Sequence, residues 1–178
     1  LRTRMAILAG PTALLLAVSF QTPLTAQAVT WTQVATTGPI ARAEASMSYD
    51  SQRDRMVLFG GILPPPTGAV NDTYEWDGSS WSLRTPATSA PASLSQPMAY
   101  DTQRGVSVLY GGGFTAQADT WEYDGTSWKE ITPTDPEGDG NPSARYSHSL
   151  TYDAARGVVV LLGAYINNIL LTYKSDNM

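Results

Sequence analysis

The 178-residue chain sets 11 Lys and Arg against 16 Asp and Glu, for a net charge of −5, and carries one histidine and no cysteine. That balance, with no basic stripe, excludes a protein that tracks nucleic-acid phosphates. The missing cysteine excludes thiol catalysis, Cys-ligated metals and disulfide stapling, so whatever folds must be held by its core.

In chain order, Arg2 and Arg4 precede an apolar run from Met5 to Phe20, and Ala26-Gln27-Ala28 is a small-x-small cleavage site. This layout predicts a secretory signal peptide over 1–28, cut after Ala28. The apolar run is shorter than the ~20 residues needed to span a bilayer and is broken by Gly10 and Pro11. The mature chain, 29–178, is therefore expected free of the membrane, in a secreted, periplasmic or cell-envelope location.

From Val29 onward one pattern recurs. Tyr49, Tyr100 and Tyr152 each precede an aspartate and stand 51 and 52 residues apart. Val57–Gly61 (VLFGG) returns as Val108–Gly112 (VLYGG) and, altered, as Val160–Ala164 (VLLGA). Asn71–Trp81 (NDTYEWDGSSW) returns as Ala118–Trp128 (ADTWEYDGTSW), while Ile169–Tyr173 (ILLTY) stands where Asp119–Tyr123 (DTWEY) would be. A fixed period means copies of one supersecondary unit.

Within each copy the hydrophobic period is that of strands. The runs 55–59 and 105–110 are β-branched, aromatic and stopped by glycine, as buried strands are. Tyr74 and Trp76, like Trp121 and Tyr123, flank a charged Glu, as in a half-buried strand. Asp77-Gly78 and Asp124-Gly125 then predict hairpins into strands carrying Trp81 and Trp128, because glycine takes positive φ freely. Each copy predicts four antiparallel strands: 40–83, 91–132, and an incomplete copy at 142–178. Residues 29–37, with Trp31, resemble the fourth-strand segments and predict one isolated fourth strand.

With Arg145–Ser149 (RYSHS), the glycine pairs and the spaced Tyr and Trp in register, the chain resembles the kelch repeat over essentially all of 31–178. That resemblance implies an all-β fold of kelch-type propeller blades, about two full and a partial third, in an incomplete ring. It makes Gly60, Gly61, Gly111, Gly112, Gly163, Tyr74, Trp76, Trp81, Trp121, Tyr123 and Trp128 structural repeat residues. It places ligand contacts on the loops 61–70, 112–118 and 163–168 and on the connections 83–96 and 132–145, with Ile62, Leu63, Phe114, Gln117 and Arg145 as candidate ligand-facing residues. His148 falls at a family position that is usually structural.

No catalytic, metal or cofactor constellation stands out. One histidine and no cysteine cannot supply the copper chemistry of the kelch-type oxidases. Asp135–Asn141 alternates oxygen ligands as a calcium loop begins, but its twelfth position is Tyr146 instead of a bidentate Glu and no helix flanks it, so a solvated acidic loop is expected. The reading is an exported, non-catalytic binding or scaffolding module for a protein or glycan; the alternative is a piece of a larger secreted propeller enzyme, glycan-active for instance, with its catalytic residues elsewhere. Because a propeller uses ~4–8 blades, the missing blades come either from a longer chain or from a head-to-tail homodimer that completes a six-blade ring.

Overall fold

The computed structural model describes residues 29–113, 115–134 and 141–163, and the backbone of 172–174. The expected signal peptide, Phe114, the acidic residues 135–140 and the loop beyond Gly163 lie outside the described residues. By contacts the chain divides into two units between Thr32 and Gln33, and every strand belongs to the second. The stretch 29–37, expected as a fourth strand, holds no strand, since an extended segment becomes a strand only where a ladder partner takes up its N–H and C=O groups.

Every regular element among the described residues is β. The first copy forms β1 (Ser46–Asp50), β2 (Arg55–Phe59), β5 (Thr73–Trp76) and β6 (Trp81–Arg84), a four-stranded antiparallel sheet in the order β1-β2-β5-β6. The loop between β2 and β5 contains a two-stranded ribbon of β3 (Ile62–Leu63) and β4 (Gly68–Ala69). The second copy forms β7 (Met98–Asp101), β8 (Val106–Tyr110), β9 (Thr120–Tyr123) and β10 (Trp128–Ile131), a sheet of the same order. The third has β11 (Ser149–Asp153), β12 (Val158–Leu162) and β13 (Thr172–Lys174). Among the described residues no sheet closes on itself.

Ladder register corrects one alignment. Glu75 lies opposite Val57, Glu122 opposite Val108 and Lys174 opposite Val160. Thr172-Tyr173-Lys174 therefore matches Thr73-Tyr74-Glu75, and Tyr173 is the partner of Tyr74 and Trp121, not of Tyr123. Aromatic spacing alone misplaced it by two residues; pairing to the preceding strand decides register.

Each first hairpin closes on one device. The Asp50 carboxylate accepts the Gln52 and Arg53 N–H groups at 3.0 Å each and the Arg53 Nε at 2.6 Å. Asp101 does the same with Gln103 and Arg104, while Asp153 accepts the Ala155 and Arg156 N–H groups and the Arg156 Nη1. Arg53 continues to Glu75 on the third strand at 2.6 Å, and Arg104 to Glu122. At the second hairpins the Asp77 carboxylate accepts from Ser79 and Ser80, with Gly78 at φ 94°. Those bonds, led by the Ser79 hydroxyl, hold the exposed carboxyl well below its ordinary range.

The sheets pack in succession, with β1 beside β7 and β7 beside β11. Between the first two, Val57 and Phe59 meet Met98, Leu109, Trp121, Tyr123 and Trp128. Phe59 and Trp128 lie 4.7 Å apart by ring centroid, and Tyr123 stacks on Trp128 at 5.0 Å. Between the second and third, Ala99, Val106 and Val108 meet Leu150, Tyr152 and Val159. The glycine pairs sew these interfaces: Gly61 N–H donates to the Ser93 carbonyl and Gly112 N–H to the Arg145 carbonyl, both at 2.9 Å.

The copies diverge in burial. Met98 and Tyr100 are 8% and 7% exposed, whereas their counterparts Met47 and Tyr49 are 51% and 50% exposed. In β1 the buried side is the polar one: Ser46, Ser48 and Asp50 face the second sheet. Likewise Trp121, Tyr123 and Trp128 are buried while Tyr74, Trp76 and Trp81 are only half-buried.

A candidate binding groove at the heads of the first strands

Three lead-in segments deliver the chain into β1, β7 and β11: Ala43-Glu44-Ala45, Leu94-Ser95-Gln96 and Tyr146-Ser147-His148. The middle residue of each is left-handed, with φ of 57° at Glu44, 53° at Ser95 and 55° at Ser147. None is glycine, so each conformation is held by its surroundings against its own preference, a kind of strain that gathers at functional sites.

These turns border a groove of about 370 Å³ lined by Glu44, Ser46, Ser95, Gln96, Ser147 and His148 together with Met47 and Met98. The Ser95 hydroxyl donates to the Glu44 carboxylate and the Ser95 N–H to the Glu44 carbonyl, tying the first two lead-ins together. The Gln96 side-chain carbonyl is buried without a partner, and neither His148 nitrogen makes a hydrogen bond of normal geometry. The His148 ring instead packs edge-on to Tyr110, 5.6 Å away by centroid. Burial first, then the Arg145 guanidinium, push the imidazole down to about 4, against the pull of the Tyr110 carbonyl. The ring is therefore neutral at neutral pH. Buried polar atoms without partners are uncommon in folded proteins and ask for an explanation; here two of the residues that carry them, Gln96 and His148, line one groove.

Of the expected ligand-facing residues, Ile62, Leu63, Gln117 and Arg145 do not line this groove. Ile62, in β3, bridges to Ala43 (N–H to carbonyl, 2.8 and 3.1 Å in the two directions), which brings the first loop against the lead-in of β1. Leu63 comes next in the same strand, half-buried. Gln117 accepts the Arg145 N–H at 2.8 Å. Arg145 is 2% exposed, and its guanidinium donates to the carbonyls of Ser143 and Gly163 at 2.8 and 3.1 Å. Phe114 lies outside the described residues.

Arg42 plays Arg145's part in the first sheet, donating to the Gly60 carbonyl and to both Asp72 oxygens. Ser93 takes that place in the second sheet, and there the Ser93 hydroxyl and the Asp119 Oδ1 are both buried without partners.

Residue-by-residue reading of the sequence did not single out Glu44, Ser95 or Ser147, because a left-handed Glu or Ser leaves no mark in residue type. The signal available was positional: all three occupy one register of the repeat. Among the described residues no group of three or more His, Asp or Glu is placed to hold a metal, and no helix is long and apolar enough to cross a membrane. Compared with protein-family models and with curated proteins, the sequence matches none.

Proposed function

We propose that the chain is an exported module of kelch-type β-propeller blades that binds an extended polar ligand, glycan or polypeptide, in the groove at the heads of its first strands, and performs no chemistry there. The observation that carries this reading is the meeting of three strained lead-ins at one polar groove lined by Gln96, whose side-chain oxygen has no partner, and by His148, whose nitrogens make no hydrogen bond of normal geometry. A neutral imidazole offers one donor and one acceptor, the amide oxygen another acceptor, and Glu44 an anionic acceptor. Hydroxyl and amide ligands supply the matching groups. The successive packing of β1, β7 and β11 supports blades set around an axis, and the Asp-x-x-Arg, glycine-pair and Trp positions support the kelch repeat.

Titration calorimetry against a panel of neutral oligosaccharides and unstructured peptides tests the reading. The productive ligand is expected to lose tenfold or more in affinity with Gln96→Ala or His148→Ala, since a good neutral hydrogen bond is worth ~1 kcal/mol and its loss in a buried site more. Undiminished affinity in both variants would overturn the groove as the site, and turnover of the bound glycan would overturn the non-catalytic reading.

A further inference from the structure

One face of the first sheet is apolar and, among the described residues, only partly covered, with Arg42 lying over its Tyr74 ring. Across its ladder, Met47, Leu58, Tyr74 and Leu83 form one row, and Tyr49, Met56, Trp76 and Trp81 the next. Leu83 is 55% exposed, and the chain at Gly38 covers only part of the Trp81 ring. The same face of the second sheet is buried, and what buries it is the opposite face of the sheet before it. Two internal interfaces thus show what this surface is shaped to receive.

Three side-chain pairs define that match. First, Gln52 reaches the Thr102 carbonyl at 2.9 Å and lies against Gly105, where a Cβ would fall 2.8 Å from its Oε1; Gln103 lies against Gly157 in the same way. At this face of the first sheet the glycine position is Asp54, left-handed at φ 56°, and on the third sheet the glutamine position is Ala155. Where the acceptor is glycine the donor is glutamine; where the acceptor has a side chain the donor is alanine. The volumes complement each other.

Second, Arg53 lies over the Tyr123 ring, 5.6 Å from its centroid, and presses on Gly125. The matching Arg156 of the third sheet has a side chain 76% exposed. The matching Trp76 is half-exposed, and Gly78 has nothing within 4 Å of where a Cβ would stand. An arginine over tryptophan is the stronger form of the same contact. Third, Ser48 faces Ser107 at 2.9 Å and Ala99 packs with Val159. Thr151, exposed on the third sheet, is left to meet Met56 with its methyl.

We infer that this apolar face of the first sheet docks the uncovered face of the third sheet of a second copy of this chain, so that two copies pair head to tail. The pairing is heterologous at each contact and closes through a two-fold axis. Two copies bring six sheets, within the ~4–8 blades that propellers use.

Light scattering on the purified full chain over a hundredfold range of concentration is expected to give twice the chain mass, falling to one on dilution. Tyr49→Lys with Leu83→Lys breaks the first face, and Thr151→Lys with Leu162→Lys the third; each pair is expected to give a monomer with an unchanged far-UV spectrum. Mixed one to one, they are expected to re-form a complex of two, because one intact contact remains. Should either pair unfold the chain, a gentler swap decides. Ala155→Gln alone is expected to weaken association tenfold or more, and Ala155→Gln with Asp54→Gly to restore it. A wild-type monomer at every concentration, a dimer that survives the third-face variant, or failure of the swap to restore association would each overturn the inference.

Discussion

The Trp128 indole N–H donates to the Thr73 hydroxyl at 2.9 Å, from the last strand of the second sheet to the third strand of the first, with both residues fully buried. The repeated tryptophan is thus a cross-sheet peg as well as a packing group. Trp128→Phe keeps most of the area but strands a buried hydroxyl, and is expected to cost ~1–3 kcal/mol. Trp128→Ala also opens a cavity and is expected to cost ~3–5 kcal/mol. Urea unfolding followed by far-UV circular dichroism measures both, and a Trp128→Phe variant as stable as the wild type would show that the hydrogen bond contributes nothing.

Two glycines of nearly equal φ separate steric from conformational need. Gly112, at φ 89°, would place a Cβ 2.6 Å from the Gln96 Cβ and 3.0 Å from the Leu94 carbonyl, whereas Gly78, at φ 94°, faces open space. Gly78→Ala should cost only the left-handed penalty of ~1–2 kcal/mol. Gly112→Ala must also displace a neighbouring lead-in and is expected to cost at least ~3 kcal/mol or to prevent folding. Thermal melts of the two variants give the comparison, and similar midpoints would refute the close approach.

Strand placement was legible because it is local. The runs around Val57 and Val108, the glycine pairs and the Asp-Gly turns mark four strands per copy without any long-range information. Three features were not. The β3–β4 ribbon rests on pairs such as Ile62 with Ala69, too short to leave a period. The register of β13 is decided by β12, not by the aromatic at Tyr173. The groove depends on left-handed backbone at Glu44, Ser95 and Ser147, which only packing imposes. Arg145 reads as a loop cation in sequence, yet it is buried because the Gly163 carbonyl needs a donor. The Asp-x-x-Arg spacing was visible at all three copies, but its role appears only when Arg53 is seen to reach Glu75.

Arg53 bridges two buried carboxylates, Asp50 and Glu75, which are 2% and 5% exposed. Arg53→Met keeps the apolar stem over Tyr123 but leaves buried Asp50 without its cation and Glu75 with only Arg84, 3.6 Å away, for an expected loss of ~3–5 kcal/mol at neutral pH. Adding Glu75→Gln removes one of the stranded charges and is expected to recover part of that loss. The two changes should therefore be strongly non-additive in a double-mutant cycle. Additive losses would mean that the pair is electrostatically independent.

His148 gives the fold a pH dependence of defined sign. Its pKa is depressed from an ordinary 6.5 to about 4, so in the window between those values the unfolded chain takes up a proton that the folded chain refuses. Stability from this residue is therefore complete above about pH 6.5 and is lost as the pH falls through about 4, to a limit of ~3 kcal/mol. The carboxylates of Asp50 and Asp101 are held below their usual range, with burial offset at Asp50 by the Tyr100 hydroxyl and then Arg53, and at Asp101 by Arg104 and the turn N–H groups, so their loss comes at lower pH and is separable. Unfolding free energies measured at half-unit steps from pH 7 to 4 should fall for the wild type. His148→Gln, which fills the site with a group that does not titrate, should flatten the curve over that window and leave the steeper acid limb below it in place. A His148→Gln profile that still falls between pH 6.5 and 4 would assign the effect to other groups.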